Sequence, residues 1–137
     1  MKVAITGAAS GMGLATAKLL AERGALISLA DVNTEALDQA VKLLEQSEKH
    51  MATTVDVRNG SAVSEWISQT VAKYGKLDGA VNMAGILTHA TPITDTSDDD
   101  WKRTFDINVH GVFNCLRAQI RAMGDSGSIV SMIPSST

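Results

Sequence analysis

Two hydrophobic periods take turns along this chain. Short apolar runs are each followed by stretches whose apolar residues recur at helical spacing. Residues 2–6 read as a first strand and 11–23 as a helix stopped at Gly24. Residues 25–30 read as a second strand. A helix over 34–46 follows, with Ala36, Leu37, Ala40, Val41 and Leu44 on one face. The third strand is 50–55. The third helix, 61–74, turns Val63, Trp66, Ile67 and Val71 inward and ends at Gly75. The fourth strand is 77–82, and a loop over 83–96 contains Pro92. Ser97 caps a short helix whose acidic first turn, Asp98-Asp99-Asp100, complements the helix dipole. That run reads as capping rather than as a metal site. A further helix spans 107–123, apolar at Val109, Val112, Phe113, Leu116 and Ile120, and a fifth strand spans 128–132.

Strands that alternate with helices pair in parallel through right-handed crossovers. The expected fold is α/β, a doubly wound parallel sheet of about five strands in one domain, residues 1–137. Ligands on such sheets lie beyond the carboxyl ends of the strands. Asp31, Asp56, Asn82 and the Ser135-Ser136 pair all fall there.

The segment Thr6-Gly7-Ala8-Ala9-Ser10-Gly11-Met12-Gly13 sits between the first strand and the first helix. In that setting glycines make a phosphate cradle. Gly7 permits the tight turn, Gly11 lets the backbone approach a pyrophosphate, and Gly13 lets helix and strand pack closely. The helix start favours an anion. Asp31, closing the second strand, is placed to accept hydrogen bonds from a ribose diol. The bland alternative is a turn whose glycines serve packing only.

Composition narrows the field. A net charge of −3 without a basic run argues against a nucleic-acid surface. No apolar stretch approaches the roughly 20 residues of a membrane span. The chain opens directly into a strand, leaving no room for a signal peptide. Cys115 is the single cysteine and reads as a small buried hydrophobe. We therefore expect a reducing, cytoplasmic setting.

These motifs resemble the short-chain dehydrogenase/reductase family, whose fold is a Rossmann-type sheet in order 3-2-1-4-5. The family's Thr-Gly-x-x-x-Gly-x-Gly is matched by Thr6 to Gly13, with Ser10 and Met12 in the turn. Its Asp-Val is matched by Asp56-Val57, where the carboxylate would meet adenine. Its Asn-Asn-Ala-Gly is matched by Asn82-Met83-Ala84-Gly85, with Met83 departing from the pattern. Its helix asparagine is matched by Asn108, and its Gly-Ser-Ile-Val by Gly127-Ser128-Ile129-Val130. The resemblance implies a nicotinamide cofactor. Because Asp31 would repel a 2′-phosphate, NAD is expected ahead of NADP.

The resemblance also exposes departures. Family members carry a serine and then Tyr-x-x-x-Lys, whose tyrosine exchanges a proton with the substrate oxygen. The chain ends before that segment, so the family's last strands are expected to be lacking. Tyr74 is the only tyrosine, and it lies at a helix end. Ungapped alignment puts Pro134 at the serine position; shifts of one or two residues put Ser135 or Ser136 there. Ser135 is the candidate, beside Asn108. His89, in the loop after the fourth strand, is the candidate replacement acid, with His110 a weaker one.

Three functions follow. The first is an NAD-dependent oxidoreductase acting on a small alcohol or carbonyl substrate. The second is a redox-neutral isomerase, dehydratase or cyclase on a shortened fold. The third is a non-catalytic cofactor-binding or interaction module. A homo-oligomer is expected, formed through the 128–132 strand edge or the 107–123 helix.

Overall fold

The computed structural model describes residues 1–88 and 91–132. Five parallel strands form one sheet in the order β3-β2-β1-β4-β5. They are β1 (Lys2–Thr6), β2 (Leu26–Asp31), β3 (Met51–Thr54), β4 (Gly79–Asn82) and β5 (Ser128–Ser131). The helices are α1 (Gly11–Glu22), α2 (Thr34–Lys42), α3 (Gly60–Tyr74), α4 (Asp98–Phe105) and α5 (Val112–Met123).

Alternation along the strands builds two cores. Val3, Ile5, Ile27 and Leu29 join Ala17 and Ala21 of α1 and Leu37 and Ala40 of α2. Ala4, Ala30 and Ala80 point to the other face, where they share a core with Val63, Trp66 and Ile67 of α3 and Cys115 and Met123 of α5. Small strand residues there leave room for the fully buried Trp66. Its indole N–H donates to Ser28 Oγ at 2.8 Å, which satisfies the ring's one polar atom inside the core.

β3 and β4 are shorter than expected, β4 beginning at Gly79, and the 83–96 loop holds a 3-10 turn at Ile93–Asp95. Three further departures bear on packing. First, α2 stops at Lys42 rather than at 46. Leu44 is buried, Gln46 is left-handed (φ 54), and a 3-10 turn covers Ser47–Lys49. Second, the short helix expected after Ser97 and the helix expected over 107–123 are one run. A π-helical turn, Asp106–Gly111, joins α4 to α5, and no proline or glycine interrupts the chain between Ser97 and Gly111. Gly111 seats the wider turn on Val57, whose Cγ2 would lie 2.6 Å from an added Cβ. Third, Thr70 rather than Val71 is buried on α3, and its hydroxyl pairs with Ser28 at 2.7 Å.

Only part of the apolar set on residues 107–123 goes inward. Val109, Phe113 and Ile120 are about half exposed, while Asn114, Cys115, Gln119 and Met123 are buried. β2 is closed off near its start by side chains. Ile27 N–H donates to His50 Nδ1 at 3.1 Å, and Tyr74 Oη donates to Ile27 O and Lys49 O at 3.3 and 2.7 Å.

Candidate functional site

The carboxyl ends of β1, β2 and β4 open into a cleft of about 450 Å³. β1 ends at Thr6, and Gly7 turns the chain at φ +65. A Cβ on Gly7 would lie 2.8 Å from Ala84 N, so only glycine lets this turn pass beneath the β4 loop. Gly13 brings α1 against the same turn, where an added Cβ would sit 2.0 Å from Gly7 O. Gly11 differs from both: at φ +53 it has nothing within 4 Å of its absent side chain, and that open space lies on the cleft wall.

The start of α1 is the most telling detail. α2, α3 and α4 are each entered through a side chain that accepts a first-turn N–H, from Asn33, Asn59 and Ser97 respectively. Ser10, at the same position of α1, makes no such bond, and no acidic residue stands in the first turn. The first-turn N–H groups of α1 therefore meet the cleft with no capping side chain of their own, the Asp31 carboxylate being bonded one residue earlier, to Ala9 N–H.

Two carboxylates line the rim. Asp31, at the end of β2, accepts from Ala9 N–H and Asn33 N–H, both at 3.0 Å. This ties the glycine turn to β2, as does Ala8 N–H donating to Ala30 O. Asp56, past β3, is gripped by Arg58. The Arg58 main-chain N–H and Nε both donate to Oδ1 at 3.0 Å, and Nη2 donates to Oδ2 at 2.6 Å. The guanidinium bonds hold the Asp56 carboxyl below the usual carboxylate range. Val57 and Arg58 are fixed in turn by buried Asn114, whose amide donates to both carbonyls.

The third wall is the loop after β4. Thr6 anchors it, its carbonyl accepting from Met83 N–H and its hydroxyl from Ala84 N–H. Met83, Ala84, Gly85 and Ile86 line the cleft. Asn108, inside the π turn, uses both ends of its amide on Ile86: Oδ1 accepts from Ile86 N–H at 2.9 Å and Nδ2 donates to Ile86 O at 2.8 Å.

Of the residues expected to bind a cofactor, Gly7, Ser10, Gly11, Met12, Gly13, Asp31, Asp56, Val57, Ala84 and Gly85 meet in this one cleft. Asn82 does not line it. Its side chain is buried behind β4, paired both ways with Gln119 at 2.8 and 3.0 Å and donating to Ser131 Oγ at 3.3 Å. His89 and Ser135 lie outside the described residues. His110 is exposed on the π turn and lines an adjoining groove between α3 and α5, which shares Asp56 and Arg58 with the cleft. Burial pushes Tyr74 up to about 12, and its hydroxyl serves the β2 backbone. Cys115 is buried and likewise pushed up to about 12. Among the described residues no group of His, Cys, Asp and Glu is arranged to hold a metal ion. No helix there is long and apolar enough to cross a membrane.

Sequence reasoning missed Val32, Arg58, Arg103 and Ile107, which also line the cleft. Arg58 was legible as a cation two residues past Asp56. Arg103 and Ile107 were not, because they reach the cleft only through the unbroken α4–π run.

Comparisons with known proteins point to one family. Residues 7–137 match a family profile described as enoyl-(acyl carrier protein) reductase. The chain is 39% identical over 133 residues to the short-chain dehydrogenase/reductase ABA4 of Pyricularia oryzae, covering 93% of this chain and 49% of that protein. It is 44% identical over 131 residues to the chanoclavine-I dehydrogenase easD of Claviceps purpurea, covering 89% and 50%. Among solved structures it superposes on levodione reductase with TM-score 0.90 at 32% identity, covering 95% and 52%. It superposes on NAD+-bound xylitol dehydrogenase with TM-score 0.88 at 36% identity, covering 95% and 51%. The chain thus spans about half the length of these relatives. Its profile match, its relatives and its sheet order agree: the chain belongs to the short-chain dehydrogenase/reductase family.

Proposed function

We propose that the cleft holds NAD(H). The chain would then carry the dinucleotide half of an oxidoreductase that moves hydride between nicotinamide and a small alcohol or carbonyl substrate. The observation that carries this reading is the uncapped start of α1, set behind Gly11 and facing Asp31. Free N–H groups and a helix dipole suit a pyrophosphate. Asp31 keeps carboxylate lone pairs for a ribose diol and opposes a 2′-phosphate at the same place. Val32, Val57 and Ile107 offer apolar surface for a base. When bound, nicotinamide supplies the hydride donor or acceptor; the residues of this chain orient the dinucleotide and brace the loop beside it. Relatives named as dehydrogenases, and a neighbour solved with NAD+, support the choice over a redox-neutral enzyme or an inert module.

Calorimetric titration of the chain with NADH and NADPH tests this. Saturable one-site NADH binding with weaker NADPH binding is the expected result. Equal affinities would remove the NAD preference, and no binding of either would remove the cleft assignment.

We propose also that two copies associate through the 107–123 helix or the 128–132 strand edge. Half-exposed Val109, Phe113 and Ile120 support the first route. The second is supported by the exposed residues of β5, which pairs only with β4 among the described residues.

A further inference from the structure

We infer that the groove between α3 and α5 is a docking site for a protein partner, and that its occupant is an extended acidic segment with carboxylates at alternate positions. The inference stands apart from the dinucleotide reading, because it concerns the outer wall of the two helices rather than the cleft.

The groove has a volume of about 1040 Å³ and two unlike walls. α3 follows β3 and α5 leads into β5, so both return between parallel strands and run in the same direction. Their approach is close at the start of α3, where a Cβ on Gly60 would stand 3.0 Å from both Arg117 Nη2 and Asn114 Oδ1. On the α5 side the groove is lined by His110, Asn114, Arg117 and Arg121, which form one helical stripe. On the α3 side it is lined by Ser61, Ser64 and Ser68, whose short side chains leave the groove open.

The cations of this stripe are placed but not neutralised. Arg117 Nη2 donates to Asn114 Oδ1 at 3.3 Å, and its guanidinium lies 4.8 Å from the centre of the Phe113 ring. It is held on α5 without a carboxylate. Arg121 makes no hydrogen bond or ion pair with another described residue. The two carboxylates on the groove are engaged elsewhere: Asp56 is gripped by Arg58, and Glu65 accepts from Gln69 Nε2 at 2.9 Å.

Spacing selects the occupant. Arg117 and Arg121 are four residues apart, as are Ser64 and Ser68, so each pair is separated along its helix by about 6 Å. In an extended chain, side chains two residues apart lie on one side, about 6.6 Å from each other. Carboxylates at alternate positions therefore meet both arginines in register, and the serine hydroxyls of the other wall are donors for the segment's carbonyl groups. A small anion lacks that reach and gains little enclosure, since all of these lining side chains except Asn114 are exposed. The chain's own acidic run, Asp98-Asp99-Asp100, fits less well. It is the first turn of a helix, where successive side chains do not face one way, and Asp100 is already bonded to Ser97.

The test is an NMR titration of the chain with two blocked pentapeptides of equal charge. One carries glutamates at its second and fourth positions, the other at its second and third. The spaced peptide should shift the backbone amides of Ser64, Ser68, Arg117 and Arg121. It should bind about threefold to fivefold tighter than the adjacent one, the yield of one exposed ion pair, and should weaken as salt rises. Arg121→Gln and Arg117→Gln should each bring the two peptides to within about 1.5-fold of one another. Arg121→Gln should leave Tm unchanged, because its side chain is exposed and unpaired among the described residues. Equal affinities of the two peptides for the wild type overturn the inference without any variant, and so does a preference that survives in both variants. Inorganic phosphate binding as tightly as the spaced peptide would make the groove a general anion surface and overturn it too. A lower mass of Arg121→Gln in light scattering, with neither peptide bound by the wild type, would give the groove to a second copy and overturn the choice of occupant.

Discussion

Gly11 and Gly13 sit two residues apart in the glycine turn, yet alanine should damage each in a different way. At Gly13 an added Cβ lies 2.0 Å from Gly7 O, 2.8 Å from Gly7 C and 3.3 Å from Ala8 Cα. All three are backbone atoms of a turn held by Ala8 N–H to Ala30 O and by Ala9 N–H to Asp31. The turn and α1 would have to separate by about 1 Å, and overpacking of this kind costs about 1–3 kcal/mol. Alanine gains back up to about 1 kcal/mol of helix propensity. With backbone on both sides of the clash, Gly13→Ala should lose about 2 kcal/mol net, a fall in Tm of about 7 °C for a chain of this size. At Gly11 nothing lies within 4 Å, and the penalty is the left-handed backbone at φ +53, about 1 kcal/mol. The added methyl instead stands on the cleft wall, so Gly11→Ala should lose NADH affinity by about tenfold or more while melting only a few degrees lower. Thermal unfolding and NADH titration of both variants separate the two effects. Gly13→Ala melting with the wild type would refute the close-approach argument. Equal affinity losses with equal Tm losses would refute the division of roles.

Other outcomes are expected from single groups. His50→Phe removes the acceptor for Ile27 N–H inside the sheet and should destabilise by about 1–3 kcal/mol in urea unfolding; no change would mean that water replaces the imidazole. Tyr74, raised from 10 to about 12, should show no phenolate absorbance in the native chain at pH 10. Because the folded value is the higher one, its contribution to stability is complete below pH 10 and is lost as pH rises toward 12. Cys115, buried and pushed up to about 12, should resist thiol reagents until the chain unfolds; fast labelling of the native chain would contradict its burial. Phe113→Glu should shift the self-association equilibrium toward monomer in light scattering. An unchanged mass would move the proposed contact to β5.

How much of this was legible in the sequence depended on the range of the interaction. The strand–helix alternation and the glycine turn were readable because period, glycine placement and Asp31 all act locally, whereas the strand order came from the family resemblance. The cleft set gathers because its members sit just past strand ends or in the first turn of α1. Asn82 was read as a cleft residue because it too ends a strand, but strand residues alternate faces. Its side chain turns to α5, where Gln119 completes a reciprocal amide pair invisible to local pattern. The 34–46 helix was overextended because Leu44 keeps the period after the backbone has left the helix: Leu44 is buried from a turn, not from α2. The π turn left no mark beyond Gly111, since widening a helix by one residue changes no residue type. The burial of Asn114 and Gln119 beside the exposure of Phe113 and Ile120 ran against simple amphipathic reading. Both amides are there for hydrogen bonds to distant partners, at Val57 and Asn82.

Asn108 joins the helix run to the cleft wall. The sequence offered it as a catalytic candidate, and in the structure its amide is spent on the Ile86 backbone through two bonds of 2.9 and 2.8 Å. A side chain already donating and accepting in this way acts on the cleft by holding its wall. Ile86 lines that wall, and Ile107, the neighbour of Asn108, lines it too. The π turn thereby couples the helix run to the β4 loop at one point. Asn108→Leu keeps the volume but strips both partners, leaving Ile86 N–H and C=O without their bonds at a partly buried site. That loss should cost about 1–3 kcal/mol, and the freed loop should weaken NADH binding as well. Asn108→Asp is the sharper variant: it keeps an acceptor for Ile86 N–H but sets a carboxylate against Ile86 O. If the residue works through loop geometry, both variants should lose NADH affinity and stability together. Wild-type affinity and stability in both would show that the loop is held elsewhere, by Thr6 through Met83 and Ala84.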